Sequence, residues 1–368
     1  MSCPYIIIRY VPHYRVELFR QLNRHYGLKI IVAETVPSDM GLKLCNDEVE
    51  DIIVRAPFVF PNPQDSYNCS YAVDWILENL RPETLISEFG LRQSSAFSLP
   101  LARRRGRFKK LAFWTHGWMM ERGFRRPVDL ASQAARLIPY AAADTIATYT
   151  AEGAAWVRKM LPWKEVVVLE NALDTREIRA AAAAASPVRH GAPQLLAIGR
   201  MLADKQFDRV IEVWRQVRAQ LPDATLTLIG DGPERPRLET QIGADLGGAV
   251  QMTGALYGET ALAPHFLGAD ALVLAGAAGF SVNHASAYAL PVVAFPRSPH
   301  GPFHHPEIQY VVDDYTGLFV QEYSDRAMAD AIVAAYRSGA LDRMRRAMTR
   351  NPPGPTIDDM VRNFAKVI

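Results

Sequence analysis

Two cations, Arg200 and Lys205, stand close together in the run LLAIGRMLADKQFDRVI. Arg200 follows Gly199 where an apolar, strand-like run ends, and Lys205 comes just ahead of a helical pattern. Cations so placed suit a diphosphate: they neutralise its oxygens, and the helix start adds its partial positive charge. Taken alone, the pair fits an ordinary solvated loop equally well. A second constellation is the turn Ala278-Gly279-Phe280-Ser281 ahead of SVNHASAYAL. Gly279 permits close backbone approach, and the N–H groups of Ser281, Val282 and Asn283 open a helix toward an anion. Ser281 also suits a helix N-cap. His284, in the first turn, can hydrogen-bond a ribose or a phosphate, or simply pack.

Other candidates are less clustered. His300, His304 and His305 lie within PRSPHGPFHHPEI, which invites a metal reading. They sit beside prolines and lack helical i, i+4 spacing, so no metal site and no cofactor is expected. Glu307 follows them, either as a ligand contact or as a turn-capping carboxylate. His116-Gly117 closes AFWTHG, where an imidazole can reach a sugar or a leaving phosphate, or be a satisfied core group. His13, Tyr14 and Arg15 form the loop after the first strand. LARRRGRFKK (101–110) holds six Arg and Lys and no acid, and ERGFRRP (121–127) adds three Arg and one Glu. The plain reading is a solvated basic face. The sharper one is docking on anionic lipid headgroups, at about 1 kcal/mol per cation near the surface. Aromatics are not interleaved, so no nucleic-acid partner is expected.

These groups need a scaffold, and the periodicity supplies one. Short β-branched runs alternate with helical patterns: YIIIRY (5–10), LKIIVAE (28–34), TLISEF (84–89), KLAFWTHG (110–117), DTIATYT (144–150) and EVVVLENA (165–172). After a stretch at 174–193 read as an interdomain connection, whose Ala run could be a short helix, the alternation resumes with QLLAIGR, ATLTLIG, AVQMTGAL, ADALVLAG and PVVAF. Such alternation predicts parallel sheets covered on both faces. The 368 residues, 49% hydrophobic and 22% charged, suit two domains. A net charge of +2 rules against a molecule built throughout as a polyanion binder. Three scattered cysteines suggest neither a disulfide framework nor zinc, and a reducing cytosol fits them. No signal peptide and no membrane-spanning run is expected, so membrane contact would be peripheral.

Over 194–320 the motifs fall into a known order. GRMLADKQFDRVI resembles the segment that holds the donor diphosphate in family 4 glycosyltransferases of the GT-B fold. LTLIGDGPERPRLE is similar to that family's Gly/Pro turn, and AGFSVNHASAYALPVVAF to its acidic signature. The resemblance implies two Rossmann-like domains with parallel sheets facing across a cleft: residues 1–175 on the acceptor side, a 176–193 linker, a 194–350 donor domain, and a terminal helix near 352–368 returning to the first. It implies Gly199, Arg200, Lys205, Gly254, Leu256, Gly279, Phe280, Ser281, Val282 and His284 as donor-binding. His116, Arg200, Lys205 and Glu307 are the catalytic candidates, and His13, Tyr14 and Arg15 the acceptor-side ones. The signature departs in one respect: its two glutamates align with Gly276 and His284. Glu307 is then expected as the nearby carboxylate. The activity implied is retaining transfer of a hexose from a UDP- or GDP-sugar to a glycan or lipid-linked acceptor, without metal. With both glutamates gone, a catalytically inactive scaffold binding a nucleotide or partner protein is the alternative.

Overall fold

The computed structural model describes residues 3–35, 45–61, 68–118, 127–245, 247–298 and 301–368. The chain forms two compact units, Met1–Asp174 with Pro355–Ile368, and Thr175–Gly354. Residues 121–126 of the second basic stretch and His300 lie outside the described residues.

The strands of unit 1 are β1 (Tyr5–Ile7), β2 (Lys29–Ala33), β3 (Ile53–Ala56), the small antiparallel pair β4 (Phe58–Val59) and β5 (Ser70–Tyr71), then β6 (Thr84–Glu88), β7 (Lys110–Thr115), β8 (Thr145–Thr148) and β9 (Glu165–Val168). All but β4 and β5 make one parallel sheet, ordered β3-β2-β1-β6-β7-β8-β9. Ile6, Ile7, Ile30, Ile31, Leu111, Ala112 and Phe113 are fully buried on alternating faces. That burial explains why these runs are continuously apolar rather than alternating.

The helices of unit 1 begin with α1 (Val16–Tyr26), α2 (Val73–Leu80), α3 (Ser95–Arg104), α4 (Pro127–Ala142) and α5 (Ala151–Met160). α1 sinks Leu18, Phe19 and Leu22 and ends on Gly27, whose φ of 65° suits the left-handed stop that glycine takes freely. Thr150 caps α5 by accepting the Gly153 N–H. α4 reverses the usual polarity. It buries Asp129, Gln133, Arg136 and Tyr140, while Val128, Leu130 and Ile138 face solvent.

Unit 2 opens with α6 (Thr175–Ala184), so the first part of the expected connection is helical. Its Ala-rich run favours a helix, and it packs on α9 and α10 of unit 2, defined next. The remaining helices are α7 (Phe207–Gln220), α8 (Arg235–Ile242), α9 (Glu259–Gly268), α10 (Ser281–Ala287), α11 (Asp325–Arg337) and α12 (Ala340–Arg350). The strands are β10 (Gln194–Ile198), β11 (Thr225–Ile229), β12 (Val250–Gly254), β13 (Ala271–Leu274), β14 (Val292–Ala294) and β15 (Gly317–Phe319). They form a parallel sheet ordered β12-β11-β10-β13-β14-β15. The winding reverses between β10 and β13, and ligands of open parallel sheets bind outside the C-terminal ends of such strands. The last helix, α13 (Ile357–Phe364), carries a Thr356–Asp359 capping box and packs on α1 in unit 1. Its Phe364 meets Trp114 edge-on at 5.3 Å.

Candidate functional site

Unit 2 holds a cavity of about 230 Å³ at its switch point. Ala197, Ile198 and Gly199 line it from β10 and the turn after it, and Val273 and Leu274 from β13. Lys205, Gly279, Phe280 and Ser281 close the rim. The lysine is held by backbone packing. The turn Ala203–Lys205 lies on Gly276, where an added Cβ would stand 2.3 Å from the Asp204 carbonyl oxygen and 2.4 Å from the Lys205 carbonyl carbon. The Ala277 N–H donates to the Asp204 carbonyl at 2.8 Å, and Lys205 Nζ donates back to the Ala277 carbonyl at 2.8 Å. A side chain at 276 and this docking of the lysine turn exclude each other, which gives the missing carboxylate at that position a steric reason.

The rim turn is pinned from behind. His304 is fully buried; its Nδ1 accepts the Ala278 N–H at 3.0 Å, so Nε2 carries the hydrogen and donates to the Phe295 carbonyl at 2.9 Å. Burial, reinforced by the charges of Arg297, Lys205 and His305, outweighs the Phe295 bond and holds the imidazole down at about 4. Arg297 donates to the His304 and His305 carbonyls at 2.7 and 2.9 Å, and the His305 N–H donates to Ala278 O at 3.0 Å. His304 is thus a neutral structural bolt. Glu307, in the 3₁₀ turn Pro306–Tyr310, is buried at 3% exposure.

Other expected donor residues divide. Arg200 is solvent-exposed beside the cavity rather than lining it. Val282 turns inward: its N–H donates to Gly279 O at 3.0 Å and its side chain is core, so neither is offered to a ligand. Ser281 is the first helical residue and not the cap. Gly254 accepts the Gly230 N–H at 2.9 Å and Leu256 packs on the core, both outside the cavity lining. His284 is already engaged. Its Nε2 meets Glu259 Oε1 at 3.0 Å, and Tyr288 OH donates to the other oxygen at 2.8 Å. Glu307 is therefore not the only carboxylate nearby. Glu259, first residue of α9, was missed because it lies 25 positions from His284; an acid after Gly258 at a helix start was its only sequence signal.

Unit 1 has a small cavity of about 70 Å³ beyond the C-terminal ends of β1 and β6, lined by Ile8, Arg9, Tyr10 and Glu88 among others. Arg9 and Glu88 face each other there in a fork, Nε–Oε2 3.0 Å and Nη2–Oε1 2.7 Å. Burial raises the Glu88 carboxyl, but the Arg9 guanidinium prevails and holds it below the ordinary carboxylate value. Tyr14 and Arg15 line the same cavity. The Arg15 guanidinium is buried, bonded to Asn171 and 5.0 Å from the Trp114 ring centre and 5.3 Å from that of Tyr14. His13 is exposed, edge-on to Tyr14. His116 lies against Tyr149 at 4.7 Å. Its carbonyl and Gly117 sit so close to Gly153 that an added Cβ there would stand 2.4 Å from the His116 oxygen. Arg9 and Glu88 had one legible sign, a charge at the end of an otherwise apolar strand.

Residues 192–338 match the family model described as glycosyl transferases group 1. No curated protein matches the chain. Among solved structures it is similar to HepE (Alr3699) of Anabaena in complex with UDP, at TM-score 0.70 and 11% identity over 100% of this chain and 99% of that one. It is also similar to the lipopolysaccharide outer core galactosyltransferase WaaB in its apo form, at TM-score 0.66 and 11% identity over 100% and 99%. A third is the pneumococcal O-GlcNAc transferase GtfA in complex with UDP and GlcNAc, at TM-score 0.64 and 12% identity over 99% and 98%. At these identities the likeness is one of fold, two parallel α/β units of the GT-B type.

Two outcomes are expected. Gly276→Ala forces backbone apart and should lower stability by about 1–3 kcal/mol in urea unfolding. Gly279→Ala, whose Cβ would meet nothing nearer than 3.8 Å, should keep the wild-type midpoint; equal losses would refute the close-packing account. The second concerns pH. The unfolded chain protonates His304 near about 6.5 and the folded chain only near 4. The unfolded state binds more protons in between, so stability is complete above about 6.5 and falls by about 3 kcal/mol toward pH 4. His265, also held down by burial, adds to that slope. Urea unfolding at pH 7 and pH 5 should show a smaller loss in His304→Gln; an undiminished loss would sink the assignment.

Proposed function

We propose that this chain, a glycosyltransferase of the GT-B fold with a glycosyl transferases group 1 domain at residues 192–338, moves a hexose from a nucleotide diphosphate sugar to a hydroxyl of a glycan or lipid-linked acceptor. The proposed setting is bacterial cell-surface polysaccharide synthesis, with UDP or GDP as the carrier and retention at the anomeric carbon. The observation that carries this is Lys205 Nζ at the rim of a glycine-lined cavity at the switch point of a parallel sheet. HepE and GtfA, which share the fold, were solved with UDP.

Cleaving the anomeric C–O bond leaves negative charge on the departing diphosphate. Lys205 is prepositioned to meet it, and Arg200 stands exposed within reach of the same strand end, so both stabilise the charge as it forms. Ser281 adds a polar edge to the rim. Neither a metal nor a protein nucleophile is part of this route. His116 binds the sugar or the leaving phosphate, Glu307 the sugar or ribose, and His284 the ribose, held in place by Glu259. Tyr14 and Arg15, with His13 outside them, serve the acceptor. An inactive scaffold is the alternative, and turnover separates the two. Lys205→Ala should cut transfer about 10²–10³-fold with an unchanged melting temperature, and UDP or GDP should raise the wild-type melting temperature while ADP does not. Glu307→Gln belongs to the same assay. Near-normal rates in Lys205→Ala would remove the site, and nucleotide stabilisation without any turnover would favour the scaffold.

A lipid-linked acceptor calls for contact with the inner face of the plasma membrane, and the surface of α3 and α4 suits it. Phe97, Leu101, Val128, Leu130 and Ile138 are exposed there. Of the basic run Arg103–Lys110, Arg103 pairs with Asp144, Arg107 with Asp74 and Lys109 with Glu83, which leaves Arg104, Arg105 and Lys110 outside the ion pairs among the described residues, Lys110 donating to the Lys366 carbonyl. No helix among the described residues is long and apolar enough to cross a membrane. Co-sedimentation with anionic vesicles should be salt-sensitive and fall in the double variant Arg104→Glu, Arg105→Glu; binding that ignores both would sink the docking.

A further inference from the structure

Helix α4 presents an uncommon arrangement. Its inward stripe is polar, and two of its buried groups lack adequate partners. Arg136 is 7% exposed. Its guanidinium has Tyr140 OH at 3.5 Å from Nη1 and the Phe89 ring centre at 5.6 Å from Cζ, while Nε meets no acceptor. Among the described residues no carboxylate pairs with it. One turn earlier Gln133 is 4% exposed, and neither its amide oxygen nor its nitrogen is hydrogen-bonded. On α3, which packs against α4, the buried Ser95 hydroxyl is likewise unbonded. A buried cation without a counter-charge and a buried amide without bonds both lower stability. Packing alone gives no reason for them.

Their place in the fold gives one. Tyr140 OH shares a 2.6 Å hydrogen bond with Thr115 Oγ1 and donates to Gly117 O at 3.1 Å, and its ring lies 4.7 Å from Phe89. Thr115 ends β7, Gly117 follows two residues on and Phe89 follows β6, so the stripe abuts the C-terminal ends of two central parallel strands, where such sheets take ligands. We propose that Arg136 and Gln133 form an oxyanion subsite of unit 1 that receives a carboxylate or phosphate group carried by the acceptor. This rests on unit 1 being the acceptor side. Nε and one Nη offer the parallel pair of N–H groups that a carboxylate or phosphate accepts. The Gln133 amide nitrogen adds a donor, and its oxygen takes a neighbouring sugar hydroxyl. Phe89 and Tyr140 fix the guanidinium plane.

The test compares the full-length wild type with Arg136→Met and Gln133→Leu by thermal shift. Each is titrated with D-glucuronate, with glycerol 3-phosphate and with sodium chloride at matched ionic strength, all under saturating UDP so that the unit 2 cavity is occupied. A ligand site predicts that Arg136→Met without added anion melts at or above the wild-type temperature, since an apolar group replaces an uncompensated charge. It predicts further that one of the two anions stabilises the wild type beyond the salt control, and that either variant abolishes that shift. The responding anion identifies a sugar acid or a phosphate as the source. A loss of several degrees in anion-free Arg136→Met would make the cation structural and overturn the proposal. So would equal anion shifts in wild type and variants, or none in the wild type. The UDP shift is read in the same series; its absence in the wild type counts against the donor reading alone.

Discussion

The reversal of winding between β10 and β13 is the constraint from which the unit 2 site follows. Every strand of the sheet is parallel, so all C-terminal ends lie on one edge. Crossover helices cover the faces, and the two loops leaving β10 and β13 run in opposite directions. The gap they leave is the cavity, bordered by apolar side chains of the sheet and helix, by glycines in the turns and by a cation reaching in from a turn. Gly199, Gly276 and Gly279 are the glycines and Lys205 the cation. Backbone contacts help set the lysine's position: Lys205 Nζ donates to the Ala277 carbonyl at 2.8 Å and stands 4.0 Å from Asp204.

Unit 1 uses the same sheet logic with a different charge balance. Arg9 is matched by Glu88 in a two-bond fork, and Arg15 is set among aromatic rings with Asn171 as a polar partner. These cations are accommodated in two ways, one by an opposite charge and one by ring faces, which attract a guanidinium through their negative quadrupole. Their burial at the strand ends makes this edge polar and densely bonded, whereas the edge of unit 2 is open and glycine-rich.

Much of this was legible in the sequence, because parallel strands buried on both faces leave unbroken apolar runs, as in YIIIRY and LKIIVAE. The glycine-flanked turns after β10 and before α10 were legible too: Gly199 takes a φ of 150°, and at Gly276 backbone comes too close for a side chain. What periodicity could not reveal was pairing across space. Glu259 reaches His284 from another helix, and His304 reads as a metal candidate in sequence yet is a neutral bolt in the fold. Val282 sits in the right segment, but its N–H is consumed by the turn that precedes it. The Ala run from 175 reads as a short helix inside a connection; its packing on α9 and α10 makes it part of unit 2.

The contact at Gly276 also bears on how such a site changes over generations. A glutamate there would have to displace the backbone of Asp204 and Lys205, so it cannot return by a single substitution while the lysine turn stays docked. Residues in such direct contact are strongly coupled, and the effect of one change depends on the state of the other. Position 276 is thus tied to the backbone at 203–205, and only a change that loosens that turn frees it to carry a side chain.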